Sequence, residues 1–289
     1  FDFGGANLHT LLGLKNNHAG MGNFIYKQTS ELTDLMQDTM EPNLKFIAGD
    51  CLYPGTANMD GLTKNKIIKK LSKMEVDYVI LDLGAGTTYN TLDFYLLTYN
   101  SILVTTPELT SVLNAYSFLK SAAFRFFMRQ FKARSEERKF IENYLRNSSS
   151  GTETSFLDLV QKTAEEFKDS CAEPLAELKK YRPQVIVNMG ETSEDLEMAK
   201  RLRTLVQNKL GLQMDFVGFL PKDQRVSYAV ALRSPLAISE PECQFVGGIK
   251  TAVDRILQHS YGYNELESFD SENDKDLEIL SEEFAEPEE

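Results

Sequence analysis

Short apolar runs punctuate the chain at residues 44–48, 76–83, 101–106, 184–188 and 214–220. Each is bounded by polar or turn-forming residues, as in strands buried in a sheet. Between the runs, apolar positions recur at helical spacing. That spacing predicts helices over 62–74, 88–97, 109–131, 136–146, 156–180, 193–210 and 241–259. Thr192 followed by Asp195 has the form of a capping box, with Asp in place of Glu. Strands alternating with helices predict an α/β fold, a mostly parallel sheet with helices on both faces.

The stretch VDYVILDLGAGTTYNTLDFYLL, residues 76–97, carries the most chemistry. Its apolar run closes on Asp82, and the turn Gly84-Ala85-Gly86-Thr87-Thr88 follows. A carboxylate at the C-terminal tip of a parallel strand lies where open α/β sheets bind ligands. It can hold Mg²⁺ through water, and the turn can reach a terminal phosphate through backbone N–H groups. It can equally be a plain strand-end carboxylate before an ordinary turn.

Some 60 residues, about 124–182, separate two strand candidates, far more than a crossover needs. They read as an inserted helical hairpin broken at the Ser-rich loop 147–152. Phe124, Phe127, Met128 and Phe131 share one face of its first arm. Residues 125–146 hold seven basic and three acidic side chains. The face is either a core-facing stripe with a solvated basic back, or a docking surface for a partner, an acidic membrane or the protein's own acidic tail.

Charge separates two regions. The net charge of −12 is concentrated in residues 264–289, where 12 carboxylates meet one Lys. The other 263 residues sum to −1. This divides the chain into a folded domain, 1–262, and an acidic tail, 263–289, expected to be disordered. The tail disfavours DNA or anionic lipid as its ligand. Cys51, Cys171 and Cys243 are odd in number and widely spaced. They form neither a metal motif nor a disulfide framework, which points to a reducing cytoplasm. No apolar run approaches the roughly 18 residues of a membrane span.

Taken together, these segments resemble the MinD/ParA class of deviant-Walker P-loop ATPases, in its FlhG-like branch. FDFGGANLHTLLGL resembles switch I, and residues 76–97 resemble the Walker B strand and switch II. SILVTTPELTSVLNAYSFLK resembles the next strand and helix. VIVNMG and DFVGFLPKDQRVSYAV resemble the late strands whose ends hold adenine. The resemblance implies a P-loop NTPase fold of the SIMIBI kind and an ATP- and Mg²⁺-dependent hydrolase. It implies that Asp2 orients the attacking water and that Asp82 acts on Mg²⁺ through its water shell. It implies that the backbone of Gly86 faces the γ-phosphate, that Asn188 reads adenine, and that Pro221 and Asp223 close over the base. An iron–sulfur carrier of the same fold would need paired cysteines, which this chain lacks.

No GxxxxGK[ST] motif or lysine-rich variant occurs. The family carries that loop ahead of switch I. The expectation is therefore a chain truncated before switch I, an active ATPase when intact and an inactive fragment here. The resemblance further implies an ATP-dependent homodimer that positions or counts a cellular structure. A protein partner through the 124–182 hairpin fits that role better than DNA. Attachment to the inner membrane face would run through the basic arm, not the acidic tail. The competing reading is a non-catalytic interaction scaffold of the same fold.

Overall fold

The computed structural model describes residues 1–2, 6–15, 17–49, 59–147, 155–261 and 274–285. The chain divides into two compact units, Phe1–Tyr95 with Gln224–Pro241, and Leu96–Asp223 with Glu242–Glu289.

The first unit opens with α1 (Leu8–Leu11), α2 (Met21–Ile25), β1 (Gln37–Asp38) and β2 (Lys45–Phe46). Helices α3 (Gly61–Leu71) and α4 (Tyr89–Tyr95) follow. Asp60 starts α3 by accepting from the backbone N–H groups of Leu62 and Thr63, at 2.8 and 2.9 Å. Thr88 does the same for α4 through the N–H of Thr91, at 3.2 Å. Met21, Phe24, Leu32, Leu35, Ile67 and Phe94 form the buried core of this unit, and Phe1 packs against it.

Two expectations need correction here. The run 44–48 is reduced to β2, which pairs antiparallel with β1 in a two-stranded ribbon and not in the parallel sheet. The run 76–83 forms no strand ladder with any described residue. A strand exists only through neighbours that satisfy its backbone. Without them Tyr78, Val79 and Ile80 stand 56%, 44% and 87% exposed.

The second unit contains the parallel sheet. Its strands are β3 (Ile102–Thr105), β4 (Gln184–Gly190) and β5 (Asp215–Pro221), in the order β3-β4-β5. Val104 lies beside Ile186, and Val185 beside Phe216. Ile186 then pairs with Gly218, so Val217 is an extra residue and β5 bulges there. Between β3 and β4 run α5 (Leu109–Arg129), α6 (Glu136–Asn147), α7 (Phe156–Glu166) and α8 (Lys168–Lys180). The single helix expected over 156–180 is thus two, broken at Phe167. Helix α9 (Leu196–Leu210) joins β4 to β5. The anticipated capping arrangement is present on the 3-10 turn Ser193–Asp195 that leads into it, where Asp195 accepts from the N–H of Thr192 at 3.1 Å. The chain then supplies α10 (Gln224–Leu232) and α11 (Leu236–Ser239) to the first unit, and α12 (Gln244–Tyr261) to the second.

The aromatic stripe on α5 faces the core of the second unit. Phe127 is fully buried, edge-on to Phe131 at 5.3 Å and to Phe156 of α7 at 6.2 Å. Phe124 meets the same Phe156 ring at 5.1 Å. Aromatic edge-to-face packing therefore ties α5 to α7.

Helix α13 (Lys275–Ala285) lies inside the acidic segment expected to lack structure. Leu277, Leu280 and Phe284 recur at i, i+3, i+7 and give it an apolar face. Leu277 and Leu280 are buried, and the helix packs on β5 and α9.

A local pH effect follows from the hairpin. The Tyr144 hydroxyl of α6 donates to the Asp158 carboxylate of α7 at 2.5 Å. Burial first, then that bond, pushes the Tyr144 phenol up to about 12. The fold holds this proton more tightly than the unfolded chain does. Its stabilisation is complete below the ordinary value of 10.0 and is lost as pH rises toward 12. Tyr144→Phe should lower the denaturant midpoint at pH 8, and the gap to the unsubstituted chain should narrow above pH 11. A gap that stays constant would exclude the linkage.

Candidate functional site

In the first unit, residues from opposite ends of an 80-residue stretch meet. A Cβ placed on Gly84 would lie 2.8 Å from Oδ1 of Asp2 and 3.0 Å from its Cγ. The Asp2 carboxylate thus lies against the bare backbone of the turn that follows Asp82. On its other side, a Cβ on Gly49 would lie 3.0 Å from the Asp2 carbonyl oxygen. Glycine at 84 is needed for close approach. Asp82 is exposed, two residues before the turn's start. Burial lowers the Phe1 amino group below its ordinary value, while the nearby carboxylates of Asp82 and Asp2 oppose that shift. Two carboxylates therefore share one small region with a polar backbone turn.

Gly86 adopts φ +123°, a conformation other residues rarely take, and a Cβ there would meet nothing within 4 Å. Its backbone sits at an open bend with room for a ligand. Lys64 of α3 pairs with the buried Asp93 of α4 and also donates to Asn90 at 3.3 Å. That contact fixes the helix onto which the turn leads.

In the second unit, the expected residues gather at the C-terminal ends of the strands. Asn188 lies near the end of β4, where its Oδ1 accepts from the N–H of Met189 at 2.9 Å. Met189 has φ +63°, so the chain curls at this tip. Pro221 closes β5 and pairs with Gly190 across the ladder. Asp223 follows two residues later. The ladder thus brings Asn188 and Pro221 to one sheet end, with Asp223 just beyond it.

Charged groups not singled out from the sequence lie at the same end. Lys222 Nζ meets Glu191 Oε1 at 2.5 Å, and its N–H donates to the Gly190 carbonyl at 2.9 Å. The Thr106 hydroxyl, just beyond β3, holds the Glu108 carboxyl below the usual range, and Lys222 adds to that effect. Glu191 in turn raises the Lys222 ammonium. The available signal was positional, since each of these residues closely follows the C-terminal end of a strand.

Among the described residues, no group of three or more His, Cys, Asp or Glu could hold a metal ion. None of the described helices is long and apolar enough to cross a membrane.

No protein-family model matches the chain. No curated protein matches it either. Solved structures do. The septum site-determining protein MinD of Pyrococcus horikoshii, complexed with Mg-ADP, is 14% identical with a TM-score of 0.56, over 92% of this chain and 84% of that one. A ParA family ATPase from Chlorobium tepidum is 15% identical with a TM-score of 0.54, over 89% and 83%. MinD in the MinC:MinD cell division complex of Aquifex aeolicus is 14% identical with a TM-score of 0.51, over 91% and 83%. At these identities the likeness establishes the fold. This chain has the α/β architecture of MinD and ParA, with its parallel sheet flanked by helices.

Proposed function

We propose that this chain belongs to a MinD/ParA-type regulatory ATPase, which binds ATP with Mg²⁺ and uses hydrolysis to switch between two association states. The observation that carries the reading is Asp2 set against Gly84, two residues beyond Asp82. Two motifs far apart in sequence lie against one another, which supports reading them as parts of one site. The FlhG-like form of the opening segment FDFGGANLHTLLGL makes placement or counting of a cellular structure the favoured task.

The residues present suit Mg²⁺ and phosphate. Carboxylate oxygens are the hard donors this ion takes, usually with several waters retained. The open space beside Gly86 would let a phosphate oxygen approach the turn's backbone N–H groups. When bound, Mg²⁺ would neutralise charge on the phosphate oxygens. Asp82 would hold the ion's water shell, and Asp2 would accept a hydrogen bond from the attacking water and set its direction. In the second unit, the Asn188 amide can both donate to and accept from an adenine edge. Pro221 and Asp223 would flank the base. A clamp of two ATP-bound subunits would give the switch its two states, each favoured by differential affinity for the ligand. The MinC:MinD complex makes a protein partner a natural extension, with the 124–182 hairpin as the proposed contact.

The test is Mg²⁺-dependent ATP turnover by the complete gene product. Asp82→Ala and Asp2→Ala should each reduce it at least tenfold. Gly84→Ala should act like Asp2→Ala, since the added methyl displaces that carboxylate, while the fold persists. Absence of both turnover and nucleotide binding would leave the scaffold reading. The lack of a GxxxxGK[ST] motif in these 289 residues is the observation that favours it.

A further inference from the structure

Among the described residues β5 has one strand neighbour, β4, so its other edge is open to other groups. Side chains occupy that edge. The Phe216 N–H donates to Asp276 Oδ2 of α13 at 2.9 Å. Where the bulge turns the chain, the Val217 carbonyl accepts from the Arg255 guanidinium of α12 at 3.2 Å. Arg255 also pairs with Glu283 of α13. Arg203 of α9 pairs with both Asp274 and Asp276, and lies over the Phe216 ring at 5.0 Å. The sheet is thus closed by an acidic helix held on two arginines.

That closure has features of a ligand in a site more than of a core element. Residues 274–285 carry five carboxylates and one Lys. Glu278 and Glu282, spaced i, i+4, repel one another on the helix. Eleven residues of this composition would not stay helical alone. Beneath the helix the receiving surface is built for carboxylates. Arg203 is 7% exposed and Arg255 is 8% exposed. The buried Arg203 Nε finds no partner among the described residues. Apolar burial by α13 rests on Leu277 and Leu280, with Phe284 tilted against Phe219 at 4.4 Å. A groove of about 250 Å³ remains between α9 and α13, lined by Leu196, Lys200, Leu277 and Ser281 among others.

We propose that α13 is an exchangeable ligand of the β5 edge, and that the surface beneath it accepts the same acidic helix from a second copy of this chain. Charge complementarity selects that occupant. Three carboxylates meet two arginines, and any replacement must supply an oxygen to the Phe216 N–H. Extended segments lacking carboxylates would strip two buried guanidinium groups of their counter-charges, which is strongly disfavoured. The proposal is independent of ATP chemistry.

The test uses two full-length variants. The first, Asp276→Ala with Leu280→Asp, alters only α13 and leaves the receiving surface intact. The second, Arg203→Ala, alters the surface and leaves α13 intact. Mixed, they should form a 1:1 complex of twice the mass by light scattering, while each alone stays at the mass of one chain. A labelled peptide of residues 272–287 should bind the first variant at least tenfold more tightly than it binds the unsubstituted chain, and the same peptide with Asp276→Asn should not. Absence of a complex and of peptide binding overturns the proposal. So does loss of the folded circular dichroism signal in the first variant, since α13 would then be inseparable from the core.

Discussion

Arg203→Ala is expected to lower the unfolding free energy by about 3–5 kcal/mol, the usual consequence of removing one partner from a buried ion pair. Asp276 is fully buried, and without the guanidinium its charge is left with backbone N–H donors, those of Phe216 and Leu277, among the contacts described. The protein has one escape. It can release α13 and hydrate the carboxylate, at the loss of the burial of Leu277 and Leu280. The measured cost is then capped by the docking energy of α13. Chemical denaturation followed by circular dichroism gives the total, and limited proteolysis near residue 275 distinguishes release from global unfolding. Adding Asp276→Ala to Arg203→Ala should cost less than the two single changes summed, because the second no longer strands a charge. Strict additivity would mean that the pair is not coupled.

Phe127→Ala should cost a similar 3–5 kcal/mol by a different mechanism. Its ring is fully buried and is the aromatic contact shared by Phe131 and Phe156. Truncation leaves a cavity between α5 and α7 that neither helix can close without losing other contacts. Phe124→Ala, one turn earlier and only partly buried, removes a contact at the rim and should cost clearly less. Thermal melts of both variants check the ordering. Equal losses would mean that the hairpin collapses as a unit and would argue against a local cavity.

The parallel strands were legible because their sequence pattern is local. The runs around Val104, Val185 and Phe216 are apolar on both faces and punctuated by turn residues, and they became β3, β4 and β5. The clustering of Asn188, Pro221 and Asp223 followed, since strand ends in a parallel sheet gather at one edge. The 76–83 run carries an equally clear pattern. It has no ladder because pairing depends on a neighbour that no property of the run itself can supply. Helix α13 was illegible for a related reason. Its charge density reads as disorder until Arg203 and Arg255 are placed beside it. These lie 73 residues from Asp276 and 28 from Glu283 along the chain. Glu108 and Lys222 lie inside the quoted segments but were not singled out, because only the sheet brings them near each other.

The bare segment around Ile80 bears on the life of the chain during synthesis. Tyr78, Val79 and Ile80 form an apolar ribbon with no ladder partner among the described residues. Such ribbons are what molecular chaperones grasp, and they are also where nascent chains adhere to one another. Yield in the cell should therefore depend on how soon that ribbon is covered, and raising chaperone supply should increase soluble yield more than lowering the growth temperature does.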